Sequence, residues 1–222
     1  MRARPFELLA AGREFFGGRC GLWKQRASCG RPPTLVWQEQ AKHCPLCSAE
    51  LQASPVGGRL RLRCARCAFV LYSNPACAAA GVVLNERGEV LLVRRAIEPF
   101  LGFWALPAGY QEIDEGPAET VVREVLEESG VEIEVQGLLD LLFVCDDPRK
   151  PANVAVYLCR AIGGTVRPGE EESEAAWFSL DRLPAEIGFE NYPRILGRLR
   201  EADGYPESPW YRLRRLLERA AP

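Results

Sequence analysis

The stretch from Gly109 to Val131, which reads GYQEIDEGPAETVVREVLEESGV, constrains the fold of this chain more than any other. Pro117 is acceptable in the first turn of a helix and Gly130 favours a helix end, so we predict a helix over 117–129. Its apolar positions form two i, i+4 pairs that can face a core, Val121 with Val125 and Val122 with Leu126. The helix is thus specified both by its ends and by its apolar positions.

The predicted helix also carries three carboxylates on one face. Glu124, Glu127 and Glu128 are spaced i, i+3 and i+4, and their mutual repulsion destabilises an isolated helix. A divalent cation such as Mg²⁺, which binds oxygen ligands and substrate phosphates, would neutralise them; an ordinary solvated acidic face is the alternative. Arg123 can reach back to Glu115 in the preceding loop, which would orient the carboxylate beside it.

Four of the nine cysteines form two CxxC pairs separated by sixteen residues. The pairs are Cys44 with Cys47 and Cys64 with Cys67. This spacing predicts a zinc ribbon, in which two tight turns direct four thiolates at one Zn²⁺ and the metal substitutes for a core. A disulfide-stapled module and a redox dithiol are the competing interpretations. His43 precedes the first pair and is interpreted as solvated, because four thiolates already complete the site.

Four arginines lie in or beside the ribbon: Arg59, Arg61, Arg63 and Arg66. The segment GGRLRLRCARC alternates like a half-exposed hairpin strand. No aromatic residue is interleaved with these arginines, as a stacking platform for bases would require. The ribbon is therefore predicted to be a structural or dimer-contact module, and nucleic acid is not expected as a partner.

The chain is basic in front and acidic behind. Residues 1–73 carry twelve Lys and Arg against four Asp and Glu, whereas residues 74–222 carry sixteen against twenty-six. The longest apolar run, CAAAGVVL over 77–84, is far shorter than the roughly 18 residues of a membrane-spanning helix, so no membrane partner is expected. Residues 1–41 are Arg-rich and acid-poor, which fits a transit peptide, a flexible extension or an over-long predicted start. The expected location is the cytoplasm, or a plastid or other organelle if 1–41 is a transit peptide.

From Cys77 onward the sequence has the alternation and turn residues of strands. Strands are predicted at 77–84, 89–96, 131–136, 138–145, 153–161 and 175–180, and further helices at 191–202 and 208–220. The predicted organisation is an extension at 1–41, a zinc ribbon at 42–73, a main domain at 74–190 and a C-terminal helical segment at 191–222. Strands on both sides of the helix at 117–129 indicate an α/β (α+β) fold.

The segment from Gly109 matches the pattern GX5EX7REUXEEXGU, where U is a bulky apolar residue, and so resembles the box that defines Nudix hydrolases. The matching positions are Gly109, Glu115, Arg123, Glu124, Val125, Glu127, Glu128, Gly130 and Val131. The resemblance implies a Nudix α/β/α sandwich with a mixed sheet, preceded here by the ribbon, and a hydrolase that uses Mg²⁺ or Mn²⁺. Glu124, Glu127 and Glu128 would be metal ligands supported by Glu115 and Arg123. Asp114 stands where many members have glycine, so the loop is expected to differ slightly.

The resemblance extends over about residues 42–190. The ribbon, YSNPA, FWALPAGY, the box and RPGEEESEAAWFSLDRLP are similar to a ribbon-bearing Nudix subgroup and to plant plastid enzymes that hydrolyse FAD and ADP-ribose. FAD or ADP-ribose is therefore the expected substrate, giving AMP and a phosphorylated product, and a homodimer is possible by family resemblance. The signature SQPWPFPxS of NADH pyrophosphatases is missing. The alternatives are an NADH, nucleoside triphosphate or cap pyrophosphatase, or a non-catalytic ligand sensor with a nucleic-acid-binding ribbon.

Residues outside the box are also expected in the site. By family resemblance a general base comes from the loop before the late strand, where Glu174 and Glu171 match better than Glu170 or Glu172. A nucleobase needs an apolar or aromatic surface with a few hydrogen bonds. The predicted substrate contacts are Trp104, Tyr110 and Phe143, with Gly109 of the box beside them; Phe100 and Phe103 are further candidates.

Overall fold

The computed structural model describes residues 40–146 and 150–201. The predictions for most of the extension at 1–41 and for the helix at 208–220 lie outside the described residues. No helix within the described part of the chain is long and apolar enough to cross a membrane.

The ribbon is a three-stranded antiparallel sheet in the order β1-β2-β3. Its strands are β1 (Leu51–Val56), β2 (Arg59–Cys64) and β3 (Val70–Leu71). Gly57 and Gly58 join the first two strands with φ of 57° and 73°, the conformation that a two-residue hairpin turn requires and that glycine adopts without strain. The predicted hairpin is therefore present. Only Cys44, Leu51 and Cys64 are buried, which makes this core very small.

The second sheet has seven strands and is mixed. Its strands are β4 (Ala76–Leu84), β5 (Val90–Arg95), β6 (Trp104–Ala105), β7 (Ala108–Tyr110), β8 (Val131–Val144), β9 (Ala152–Gly164) and β10 (Glu172–Phe178). The main path runs β10-β5-β4-β9-β8, with β6 beside β5 and β7 beside β4. β4 and β9 are parallel, and every other pair is antiparallel.

Among the described residues, one helix covers each face of this sheet. α1 (Pro117–Ser129) packs Val121 and Val125 onto one face, and α2 (Asn191–Glu201) contributes Ile195 and Leu196 to the core on the other. β4 is accordingly buried almost throughout, which explains its nearly continuous apolar sequence. The predicted α/β/α sandwich with a mixed sheet is confirmed.

The ends of α1 are where the sequence predicts them. The backbone N–H of Gly116 donates to Glu119 Oε2 over 2.6 Å, which holds the first turn. Gly130 ends the helix with φ 68°, and its N–H donates to Leu126 O over 2.9 Å.

The prediction that two apolar pairs of α1 face the core is wrong for one pair. Val121 and Val125 are fully buried, whereas Val122 is 39% exposed and Leu126 is 46% exposed. Successive helical residues are rotated by about 100°, and a helix lying on one sheet buries a single stripe.

Two further differences concern the strands of the seven-stranded sheet. The predicted strands 131–136 and 138–145 form the single strand β8, and β6 and β7 were not predicted. Bulges carry β8 through Gly137, and the two missed strands are too short for a periodic signal.

Truncation of Val125 should therefore cost far more stability than the same truncation one turn earlier. Val125→Ala removes two buried methyl groups, and we expect the free energy of unfolding to fall by about 2 to 3 kcal/mol. Val122→Ala is the matched control and should change it by less than about 0.5 kcal/mol. Urea unfolding of both variants measures the difference. Equal losses would mean that α1 is rotated relative to this structure.

Candidate active site

A cleft of about 730 Å³ opens beside α1. Its acidic side comes from α1, from the segment before β10 and from the first residue of β10, and its apolar floor comes from β4, β8 and β9. The acidic side chains lining it include Glu112, Glu124, Glu127, Glu128, Glu170, Glu171 and Glu172. Arg95 and Lys150 are the cationic residues of the lining, and Phe189 and Tyr192 contribute aromatic surface.

Glu124, Glu127 and Glu128 of α1 all line this cleft, but they have different partners. Glu124 Oε1 and Glu127 Oε2 each accept a hydrogen bond from Arg123 Nη1 over 2.9 Å. Glu128 Oε2 instead accepts from the backbone N–H of Ala108 over 2.9 Å, which ties α1 to β7. Arg123 thus compensates two of the three charges.

Arg123 also makes the predicted contact with Glu115. Its Nε and Nη2 donate to the two carboxylate oxygens of Glu115 over 3.0 and 2.7 Å, a bidentate pair. This contact and the backbone N–H of Glu112 lower the pKa of Glu115 to about 2. Nη2 of Arg123 also donates to Tyr110 O over 3.1 Å. One guanidinium group therefore joins β7, the loop and the helix.

Gly109 is required by the position of Glu124. A Cβ atom on Gly109 would lie 2.0 Å from the carboxyl carbon of Glu124, far inside contact distance. The absence of a side chain lets this carboxylate lie directly over the strand backbone. The first glycine of the box and its first helical glutamate are thus parts of one packing arrangement.

Glu172 is a cleft residue that the sequence reasoning ranked below its neighbours. It is only 8% exposed, and burial, followed by the charge of Glu171, raises its pKa to about 7. The pKa of Glu128 is also well above its usual range, because of burial and the negative charge of Glu172. Carboxylates from two separate elements therefore lie close to one another in the cleft.

The structure does not bring Glu174 to the cleft. It forms an ion pair with Arg94 over 2.6 Å, and its side chain is 52% exposed. Glu172 and Glu174 would share a face of a regular strand, but the pairing of β10 with β5 shifts between them. This irregularity turns Glu174 away, and no signal in the sequence reports it. Glu171, the other predicted candidate for the base, does line the cleft.

Two of the predicted substrate contacts lie elsewhere. Trp104 packs edge-on against Phe178, with ring centroids 4.8 Å apart, beside the hydrophobic core. Phe143 is 53% exposed and lies outside the cleft, because its neighbours Leu142 and Val144 face the core and alternate residues of a strand point to opposite faces. Phe100 and Phe103 are also outside the cleft lining.

Gly109 and Tyr110 do line the cleft, and Lys150 lies over the Tyr110 ring with its Nζ 3.4 Å from the centroid. The aromatic residues that replace the predicted ones are Phe189 and Tyr192. They follow the last predicted strand and carry no motif, so the sequence offered no signal for them.

The four ribbon cysteines come together as predicted. Their Sγ atoms all lie within 4.8 Å of one another, and the Cys44–Cys67 and Cys47–Cys64 separations are 3.5 Å. Four sulfurs around a tetrahedral Zn²⁺ with bonds of about 2.3 Å would lie about 3.8 Å apart, so the cluster fits this ion. Within the described residues it is the only group of three or more Cys, His, Asp or Glu ligands gathered this tightly, and His43 is not in it.

Comparison with known proteins agrees with this geometry. The family model of the NUDIX domain matches residues 75–198. The chain is 36% identical over 137 residues to an ADP-ribose pyrophosphatase of Methanocaldococcus jannaschii, covering 61% of this chain and 80% of that protein. It is 34% identical over 140 residues to a putative ADP-ribose pyrophosphatase of Bacillus subtilis, covering 61% and 65%.

The fold is similar to the crystal structure of a NUDIX hydrolase from Nitrosomonas europaea. The TM-score is 0.67 at 26% identity, covering 74% of this chain and 94% of that one. The family model spans more than half of the chain, and its range contains the whole box, the cleft-lining glutamates and most of α2. The chain therefore belongs to the Nudix hydrolase family.

Proposed function

We propose that this protein hydrolyses the diphosphate of nucleoside diphosphate derivatives, with ADP-ribose as the first candidate substrate, and that it requires Mg²⁺ or Mn²⁺. The observation that carries the proposal is the cluster of three carboxylates in the cleft, of which Glu124 and Glu128 are half-buried and Glu172 is buried. The relatives from Methanocaldococcus jannaschii and Bacillus subtilis, named as an ADP-ribose pyrophosphatase and a putative one, support the choice of ADP-ribose. FAD is the second candidate, because it joins the same ADP moiety to another group.

The carboxylates fit a hard cation in their chemistry. Burial and neighbouring negative charges raise the pKa of Glu128 and Glu172, so an added positive charge would stabilise their ionised forms. Oxygen ligands of this kind suit Mg²⁺ and Mn²⁺. Glu124, Glu127 and Glu128 would hold the ion, which would neutralise diphosphate charge and make a water a competent nucleophile.

The surrounding residues would orient the reacting groups. Arg123 fixes Glu124 and Glu127 from one side while its bidentate contact with Glu115 holds the loop. Glu171 and Glu172 both line the cleft and are the candidates for a general base.

Two cations on the cleft can bind the substrate diphosphate. Arg95 uses Nε to donate to Pro99 O over 2.7 Å, which fixes the side chain and leaves its terminal nitrogens to other partners. Lys150 lies at Tyr110 on the cleft lining. Charge-assisted hydrogen bonds from such groups are the strong contacts that phosphates make in proteins.

We also propose that the ribbon cysteines, Cys44, Cys47, Cys64 and Cys67, hold a structural Zn²⁺. Their sulfur separations suit the ion, and the small apolar core of the ribbon indicates that another stabilising element is needed.

The first test is incubation of the purified protein with Mg²⁺ or Mn²⁺ and a panel of ADP-ribose, FAD, NADH and nucleoside triphosphates. We expect AMP to be released from ADP-ribose, and Glu127→Gln to lower the rate at least about 100-fold because a charge at the cation is lost. Glu132→Gln makes the same change outside the cleft and should retain the wild-type rate. Chromatography of the products measures each reaction. Binding of a nucleotide without turnover of any compound would instead favour the ligand-sensor alternative.

In metal-free protein, the contribution of Glu172 to stability should be lost as pH rises. The folded chain binds this proton more tightly than the unfolded chain, because the pKa rises from 4.5 to about 7. That contribution is present below about pH 4.5 and disappears as pH passes through about 7. The free energy of unfolding of Glu172→Gln in chelator, measured relative to wild type, should therefore increase between these pH values. Parallel pH profiles for the two proteins would contradict the burial of an ionisable group here.

Zinc content provides a separate prediction for the ribbon. The purified protein should contain about one Zn²⁺ per chain by elemental analysis, and Cys64→Ser should lose the metal and lower the melting temperature. Cys77→Ser removes an exposed cysteine outside the ribbon and is the matched control. Equal zinc contents in wild type and Cys64→Ser would count against a zinc site at these cysteines.

A further inference from the structure

The cleft has a second end that the diphosphate chemistry does not explain. Its floor is made of small apolar side chains on the central strands, and aromatic rings stand at its side. The floor residues are Ala78, Ala152 and Val154, and the rings are those of Phe189 and Tyr192. A flat apolar floor beside aromatic rings fits a planar ring system, whereas a sugar would place its hydroxyl groups against carbon atoms.

Tyr192 brings a hydroxyl group to this end, beside the Arg95 guanidinium that lies 5.6 Å from the Phe189 ring centroid. The residue is only 3% exposed, and its ring packs against Phe189 with centroids 5.1 Å apart. Its hydroxyl forms no hydrogen bond with any described residue, and the side chain lines the cleft. A ligand that displaces water from this hydroxyl must replace the lost hydrogen bond, because an unpaired polar group in a dry site costs free energy. An acceptor atom on a bound ligand would supply this partner.

The ring beside Tyr192 is held in place from several sides. Phe189 has φ 61°, a left-handed conformation that is rare for a bulky residue and persists only where its surroundings enforce it. Its ring lies 4.7 Å from that of Phe100, and the Arg95 guanidinium lies 5.6 Å from its centroid. The Phe189 and Tyr192 rings therefore form a rigid wall that needs little reorganisation when a ligand binds.

We propose that this end of the cleft binds the nucleobase of the substrate, with the Tyr192 hydroxyl donating a hydrogen bond to an acceptor atom of the base. Aromatic and apolar surface contacts the ring, and one donor fixes its orientation. The inference rests on the proposed function, because it assigns the part of the nucleotide that the acidic end leaves unassigned. Tyr192 is then a specificity-determining residue, since a site built around a hydrogen bond rejects ligands that lack the acceptor.

The test measures binding of AMP, adenosine and ribose 5-phosphate to the Mg²⁺-loaded protein by isothermal titration calorimetry. Tyr192→Phe removes one hydroxyl without changing the ring. We expect the Kd of AMP and of adenosine to rise about fivefold, the size of one net hydrogen bond, and the Kd of ribose 5-phosphate to stay unchanged. In the hydrolysis of ADP-ribose, the same loss should appear in KM more than in kcat. Tyr157→Phe, on the opposite face of the sheet, is the matched control and should change none of these values.

Two results would overturn the inference. Equal weakening of AMP and ribose 5-phosphate would place the Tyr192 hydroxyl on the phosphate, and unchanged binding of all three compounds would make it a packing residue only. Phe189→Leu is a second variant that should weaken AMP and adenosine but not ribose 5-phosphate.

The proposed function can fail separately. A wild-type protein that binds AMP but hydrolyses no diphosphate would contradict the hydrolase and leave the base site standing. A wild-type protein that binds none of AMP, GMP, UMP and CMP would overturn the base site, whatever its activity.

Discussion

The site depends on how closely α1 lies against β4. A Cβ atom on Gly81 would approach Val125 Cγ2 to 3.0 Å and Val121 Cγ2 to 3.1 Å, so the strand offers the helix no more room. With these two valines fully buried, the rotation of the helix about its axis is fixed. Glu124 precedes Val125 in the sequence and Glu128 follows it. The helical period therefore fixes the directions of both carboxylates, and both line the cleft.

The electrostatics of the cleft follow from this packing. Burial, and after it the negative charge of neighbouring carboxylates, raises the pKa of Glu124 and Glu128, and Arg123 compensates only the carboxylates that it reaches. Glu172 belongs to a different element, β10, and brings a further carboxylate close to Glu128. The ionised carboxylates of this arrangement repel one another in the folded protein, and a cation bound among them would reduce that repulsion.

The cleft is chemically divided. Its acidic side belongs to α1 and to the residues at and before the start of β10. Its apolar side belongs to the central strands, to Phe189 just before α2 and to Tyr192 in the first turn of α2. A molecule with a charged diphosphate and a flat aromatic base matches this division, whereas a wholly polar or wholly apolar ligand would match only one side.

The features that could be predicted from the sequence are those in which the interacting residues are close together along the chain. The helix ends, the carboxylate spacing, the Arg123 contact with Glu115 and the paired cysteines all lie in short segments, where helical and turn geometry fix the distances. Tertiary structure alone decided the exposure of Val122 and the outward direction of Phe143. The irregular pairing of β10 places Glu172 in the cleft and turns Glu174 away from it. Tertiary packing also brings Phe189 and Tyr192 to the cleft. These side-chain positions depend on which strands pair, on their register and on the sheet face that a helix covers. Such long-range contacts leave no local pattern in the sequence.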